Sequence, residues 1–241
     1  HIPGAVFLDL DEDLAGPVTT ESGRHPLPDV HTISTALSAL GIGHSSKVVV
    51  YDSDNGSIAA RAWWLLRWLG LNDVRVLDGG FSRWCALGLP TTAALPRRPA
   101  QVFTPAVRSE RVLTTDELAL KVASGHSLRL LDAREAVRFR GEQEPIDPVA
   151  GHVPGAQNLW FGRFVHPDGT WLPLAQRSAL LRDVLGNEPD RPWSVMCGSG
   201  VTACHLAISA IEAGFREPRL YVGSWSEWIR DPGRPIGAGE R

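Results

Sequence analysis

The chain repeats itself, and that constrains its fold more than any other feature. His1-Ile2-Pro3-Gly4-Ala5 returns as His152-Val153-Pro154-Gly155-Ala156. Leu77-Asp78-Gly79-Gly80-Phe81-Ser82-Arg83-Trp84 has a looser echo in Tyr221-Val222-Gly223-Ser224-Trp225-Ser226-Glu227-Trp228. Between these markers each half carries an apolar, β-rich run and then a helical pattern. Residues 47–51 and 193–196 read as buried strands, 59–69 as an amphipathic helix with three tryptophans, and 201–213 as a second helix. Aligning the halves puts Asp52 where the second has Cys197. Strands alternating with helices, including the runs 128–131 and 220–222, imply parallel βαβ units and an α/β class.

The 241 residues therefore divide into two diverged copies of one unit. Residues 1–95 form the first and 112–241 the second. The stretch between them, with Pro90, Pro96, Pro99 and Pro105 leading into it and along it, reads as a linker over 96–111. The second copy has a leading segment that includes Asp132-Ala133-Arg134, whereas the first begins at its His-Ile-Pro-Gly, so the first domain reads as N-terminally truncated.

Composition excludes several classes of function. Apolar residues make up 43% and charged residues 21%, enough to bury a core, and the net charge of −3 comes without a dense basic run. Nucleic acid and anionic membrane surfaces thus gain no electrostatic attraction. No stretch approaches the ~20 apolar residues of a membrane span, and the first residues lack the pattern of a signal peptide. The cysteines, Cys85, Cys197 and Cys204, are sparse and odd in number, which disfavours a disulfide scaffold and fits a cytoplasmic protein. Cys197-x6-Cys204-His205 lacks the short paired spacing of zinc sites, so neither metal nor cofactor is expected.

The chemistry concentrates in Cys197-Gly198-Ser199-Gly200-Val201-Thr202. The loop lies between a predicted strand and a predicted helix, at the carboxyl end of a sheet, where open α/β folds bind ligands. Gly198 and Gly200 let the backbone curl so that successive N–H groups converge, and the following helix N-terminus adds to an anion-stabilising nest. Such a nest suits a thiolate or the terminal sulfur of a persulfide, with Ser199 and Thr202 supplying hydroxyls. Cys204, two turns further on, is expected in the core, His152 in a structural turn, and the tryptophans in packing.

The loop resembles the active-site signature of the rhodanese superfamily, in its 3-mercaptopyruvate sulfurtransferase branch. Gly151-His152-Val153-Pro154-Gly155-Ala156, Asp132-Ala133-Arg134, Arg138-Phe139-Arg140-Gly141 and Gly223-Ser224-Trp225-Ser226-Glu227-Trp228 extend the resemblance along the chain. It implies two tandem rhodanese-like domains, each a mostly parallel sheet flanked by helices, the first inactive and the second catalytic. It also implies Cys197 as the sulfur carrier, with Ser199, Asp11 and His25 as its catalytic partners. Arg138 matches the substrate-binding arginine, beside Gly198, Gly200, Val201 and Thr202. A second carboxylate-binding arginine is expected just before Gly151-His152, yet Ile146 stands near that place. Three alternatives follow: Arg138 works alone, Arg140 or Arg163 substitutes, or substrate preference differs. Arg134 is expected to brace the domain through Asp132.

Three rival functions fit parts of this pattern. A phosphatase needs a cation six positions after the cysteine, where this chain has Ala203. A non-catalytic binding module would not need the whole set Cys197, Ser199, Asp11 and His25. Thiosulfate as donor shares the fold and the nucleophile, but a dianion suits cationic residues where Gly198 and Ser199 stand. The acceptor expected is a thiophile: cyanide, a small thiol or a thioredoxin-like protein.

Overall fold

The computed structural model describes residues 1–125 and 128–239, which form two compact units. The first comprises His1–Pro17, Leu27–Ser109 and Val165–Trp171; the second comprises Val18–Pro26, Glu110–Phe164 and Leu172–Arg241. Two short segments thus pack with the other half of the sequence from the one their position in the chain suggests. Residues 18–26 belong to the second unit and residues 165–171 to the first.

In the first unit β1 (Val48–Val50) pairs in parallel with β2 (Val74–Val76), Val49 opposite Arg75. Three helices accompany them: α1 (Val30–Ala39), α2 (Ala59–Trp68) and α3 (Gly80–Ala86). Asp29 caps α1 by accepting the Thr32 N–H. The helix expected to be amphipathic, α2, is instead buried on every face, Arg67 alone being partly exposed. Arg61 sits within it at no measurable exposure and donates from Nε and Nη2 to the Leu14 carbonyl, which offsets part of its desolvation.

The second unit carries a five-stranded sheet in the order β3-β7-β6-β4-β5, every neighbouring pair parallel. Its strands are β3 (Val112–Leu113), β4 (Leu130–Asp132), β5 (Gln157–Asn158), β6 (Ser194–Met196) and β7 (Arg219–Tyr221). Its helices are α4 (Thr115–Ala123), α5 (Ala136–Phe139), α6 (Leu174–Leu185), α7 (Ala203–Glu212) and α8 (Ser224–Trp228). A capping box starts α4, with Thr114 accepting from the Glu117 N–H and Glu117 reaching back. Met196, Tyr221, Trp225, Trp228 and Phe139 fill one core with Leu113, Leu118 and Leu130. The α/β class with parallel sheets flanked by helices agrees with the sequence. Among the described residues no helix is long and apolar enough to cross a membrane.

Candidate active site

Cys197 follows β6, the central strand of the five, and the chain enters α7 six residues later. Cys197 is 2% exposed, and Gly198, Ser199, Gly200 and Val201 are buried with it, while Thr202 is half-buried and makes no side-chain cap. The loop is strapped from one side by the start of α8. The Cys197 N–H donates to Ser224 Oγ at 3.1 Å, whose hydroxyl donates to the Tyr221 carbonyl at 2.9 Å. In return Trp225 N–H donates to the Cys197 carbonyl at 3.0 Å and Ser226 N–H to that of Gly198 at 2.9 Å.

Ser224 holds φ at +52°, the one positive-φ residue other than glycine among those described. A serine there is strained, and its hydroxyl is what ties the Cys197 loop down. Gly200 has φ +76°, and a methyl group on it would stand 2.5 Å from the Val222 carbonyl oxygen, so glycine is required twice over. The N–H groups of Gly198, Ser199, Val201 and Thr202 have no acceptor among the described residues. Buried donors without partners favour an anion held among them.

The first unit repeats this arrangement with different chemistry. Phe81 N–H donates to the Asp52 carbonyl and Ser82 N–H to that of Ser53, both at 2.9 Å, matching the two bonds that strap Cys197 and Gly198. Gly80, at φ +56°, stands where Ser224 does. The Asp52 carboxylate accepts four N–H groups: Asp54 at 3.0 Å and Gly56 at 2.9 Å on Oδ1, Ile58 at 2.9 Å and Ala59 at 3.0 Å on Oδ2. One copy of the nest is filled by its own side-chain anion.

His25 reaches the loop because residues 18–26 dock on α8. Gly23 N–H donates to Glu227 Oε2 at 3.3 Å, Arg24 N–H to Ser226 Oγ at 3.0 Å, and Arg230 Nε to the Ser22 carbonyl at 3.0 Å. A methyl group on Gly23 would lie 2.5 Å from the Gly223 carbonyl, so only glycine allows that approach. His25 Nδ1 then lies 2.7 Å from Ser199 Oγ, bringing together two of the residues singled out from sequence. Asp11 belongs to the first unit, in an exposed turn where its N–H donates to Asp9 Oδ1 at 2.8 Å.

A second cluster borders Gly198. Arg138 donates from Nε and Nη2 to Glu144 at 2.7–3.1 Å and from Nη2 to Asp147 Oδ2 at 3.2 Å. Arg134 is spent on Asp132, on the Gly151 carbonyl and, at 3.4 Å, on Glu144, with its guanidinium 4.8 Å over Trp225, as its bracing role requires. Arg140 pairs with Glu142, and Arg163 is an exposed residue. Sequence reasoning passed over Arg24, whose Nη1 pairs with Asp147. Its guanidinium pKa is lowered by burial first and by neighbouring Arg138 second, while Cys197 acts in the opposite direction. The signal for it in the sequence was its adjacency to His25. Its partner Asp147 follows Ile146, which is itself exposed.

Cys204 is in the core, its thiol donating to the Gly200 carbonyl at 3.4 Å, and Cys85 is exposed. His152 is buried, stacks on Phe139 at 3.9 Å and bonds the Phe139 carbonyl through Nδ1, the structural role expected of it.

Comparison with known proteins assigns the chain. The Rhodanese-like domain family matches residues 1–87 and again 114–231. A Pseudomonas aeruginosa protein named probable 3-mercaptopyruvate sulfurtransferase is 48% identical over 244 residues, covering all of this chain and 85% of the relative. A Mycobacterium tuberculosis protein named putative thiosulfate sulfurtransferase SseB is 40% identical, covering 99% and 84%. The crystal structure of SseA from Escherichia coli, a 3-mercaptopyruvate sulfotransferase by its description, superposes with a TM-score of 0.80 at 32% identity over 94% of this chain and 84% of that one. Matches of that extent, running through both copies of the repeated unit, mean that the chain belongs to the rhodanese-like family and is one of its two-domain sulfurtransferases.

Proposed function

We propose that this sulfurtransferase takes sulfur from 3-mercaptopyruvate onto Cys197 and passes it to a thiophilic acceptor, releasing pyruvate. The Cys197 thiolate attacks the substrate sulfur; an S–S bond forms and the C–S bond breaks. The electron pair stays on carbon as the pyruvate enolate, which takes up a proton in place of the one on the substrate thiol. The acceptor thiolate, or cyanide, then removes the outer sulfur and regenerates Cys197. The persulfide anion rests among the unpartnered N–H groups of the loop.

The observation that carries the choice of donor is the 2.7 Å contact of His25 Nδ1 with Ser199 Oγ. A polarised hydroxyl two residues from the sulfur carrier can deliver the proton that an enolate carbon needs. Thiosulfate leaves as sulfite and needs none. Arg138 binds the donor carboxylate, and Arg138→Ala is expected to raise the mercaptopyruvate KM about ten- to hundredfold, the worth of a charge-assisted pair. Asp11 enters this reading through the family resemblance alone. Cyanide, a small thiol or a thioredoxin-like protein fits as acceptor, and a reducing compartment such as the cytoplasm suits a thiolate carrier.

Mass spectrometry after incubation with mercaptopyruvate should find one added sulfur on the Cys197 peptide, and Cys197→Ser should abolish turnover. Sulfur on Cys85 or Cys204 instead would sink the assignment. In side-by-side kinetics mercaptopyruvate should exceed thiosulfate in kcat/KM by at least about tenfold. Thiosulfate turned over as well or better would select the rhodanese reading, to which the relative named thiosulfate sulfurtransferase points.

A further inference from the structure

We propose that Arg24 is the second donor-binding arginine of this enzyme, and that Asp147 both holds it there and tunes the site for a monoanion. The inference rests on the carboxylate-bearing donor proposed above.

Arg24 and Arg138 converge on the residue that follows the sulfur carrier. A methyl group on Gly198 would stand 2.8 Å from Arg24 Nη2, 3.5 Å from Arg138 Nη2 and 3.8 Å from Arg138 Nη1. Each guanidinium is anchored by one side only: Arg24 through Nη1 to Asp147, Arg138 through Nε and Nη2 to Glu144 and Asp147. Arg24 Nη2 and Arg138 Nη1 have no acceptor among the described residues. Two N–H-bearing faces beside Gly198 match the two oxygens of a planar carboxylate. Two like charges held this close repel each other, and a bound carboxylate relieves that repulsion.

Asp147 has its side chain 4% exposed and touches both arginines, so it cannot leave one without losing the other. Where a second arginine was expected ahead of Gly151-His152, the chain supplies an acidic residue that recruits an arginine from residues 18–26. The cluster Arg24, Arg134 and Arg138 is matched one for one by Asp132, Glu144 and Asp147. Such a balanced site accepts one added negative charge more readily than two.

The test compares loading of Cys197 from mercaptopyruvate with loading from inorganic tetrasulfide, which has no carboxylate, in the full chain by mass spectrometry. Arg24→Gln should lower the ratio of mercaptopyruvate to tetrasulfide loading rates at least tenfold, mainly through the mercaptopyruvate concentration needed for half-maximal rate. Arg24→Lys should recover part of the loss, which a merely structural arginine would not show. Asp147→Asn should shift the kcat/KM ratio toward thiosulfate by threefold or more. A ratio within twofold of wild type in Arg24→Gln would overturn the proposal. Wild-type protein that loads Cys197 from tetrasulfide but not from mercaptopyruvate would overturn the donor assignment instead.

Discussion

Asp52 and Cys197 occupy the same place in the two copies of the repeated unit. The Asp52 carbonyl accepts the Phe81 N–H at 2.9 Å, and the Cys197 carbonyl accepts the Trp225 N–H at 3.0 Å. In the first copy the Asp52 carboxylate takes four N–H bonds from the loop and helix start that follow it. The aspartate is therefore an internal anion in a cradle that, in the second copy, surrounds a cysteine. The duplicated backbone strap is the same in both copies, and only the side chain at this place differs, a carboxylate in one and a thiol in the other.

Asp52 then has a structural task that can be measured. Asp52→Ala leaves four N–H groups without their acceptor, two of them, on Gly56 and Ala59, partly buried, and should cost about 1–2 kcal/mol in denaturant unfolding. Asp52→Asn, which keeps one acceptor oxygen, should cost less. A loss below about 0.5 kcal/mol for the alanine variant would show that the four bonds contribute little.

Ser224 separates strain from hydrogen bonding. Ser224→Ala keeps the positive φ and loses the acceptor for the Cys197 N–H, so it should be destabilised by about 1–3 kcal/mol. Ser224→Gly loses the same bond but gains about 1 kcal/mol from relief of the left-handed backbone, so it should be the more stable of the two. With Cys197 as the proposed sulfur carrier, both should turn over more slowly, because its loop is no longer tied to the Tyr221 carbonyl. Equal stabilities for the two variants would refute the strain argument.

His25 and Ser199 should behave as one device. Ser199→Ala or His25→Ala alone is expected to lower kcat/KM for mercaptopyruvate about 10²–10⁴-fold, the range for general acid–base catalysis. The double variant should lose little more, since either change removes the same proton delivery. Turnover of thiosulfate should fall far less in each. Additive losses in the double variant would mean that the two side chains act separately.

His205 predicts acid lability. Burial first, and Arg177 second, push its pKa down to about 3 from an ordinary value of 6.5, so the folded protein holds it neutral. The unfolded chain takes up a proton below its own higher pKa and the folded chain does not. This contribution to stability is thus present above about pH 6.5 and is lost as pH falls from there toward 3, at up to ~1.4 kcal/mol per pH unit. Unfolding free energies of wild type and His205→Leu measured between pH 7 and 5 should show a shallower pH slope in the variant. Parallel slopes would assign the acid sensitivity to other groups.

Local and repetitive features were legible in the amino-acid order alone. The strands expected at 47–51 and 193–196 form as Val48–Val50 and Ser194–Met196, and the helix at 201–213 forms as Ala203–Glu212, because short apolar runs and helical periodicity act over a few residues. The repeat fixed the equivalence of Asp52 and Cys197, and the glycines around Ser199 marked the loop. Tertiary structure alone decided which distant groups meet there. Arg24 and Asp147 are 123 positions apart, and His25 and Ser199 are 174 apart. No spacing rule connects such pairs. They meet because Gly23 lets residues 18–26 lie against α8, while the same helix start pins Cys197 through the strained Ser224, a backbone state invisible in a serine codon but fixed by three-dimensional packing.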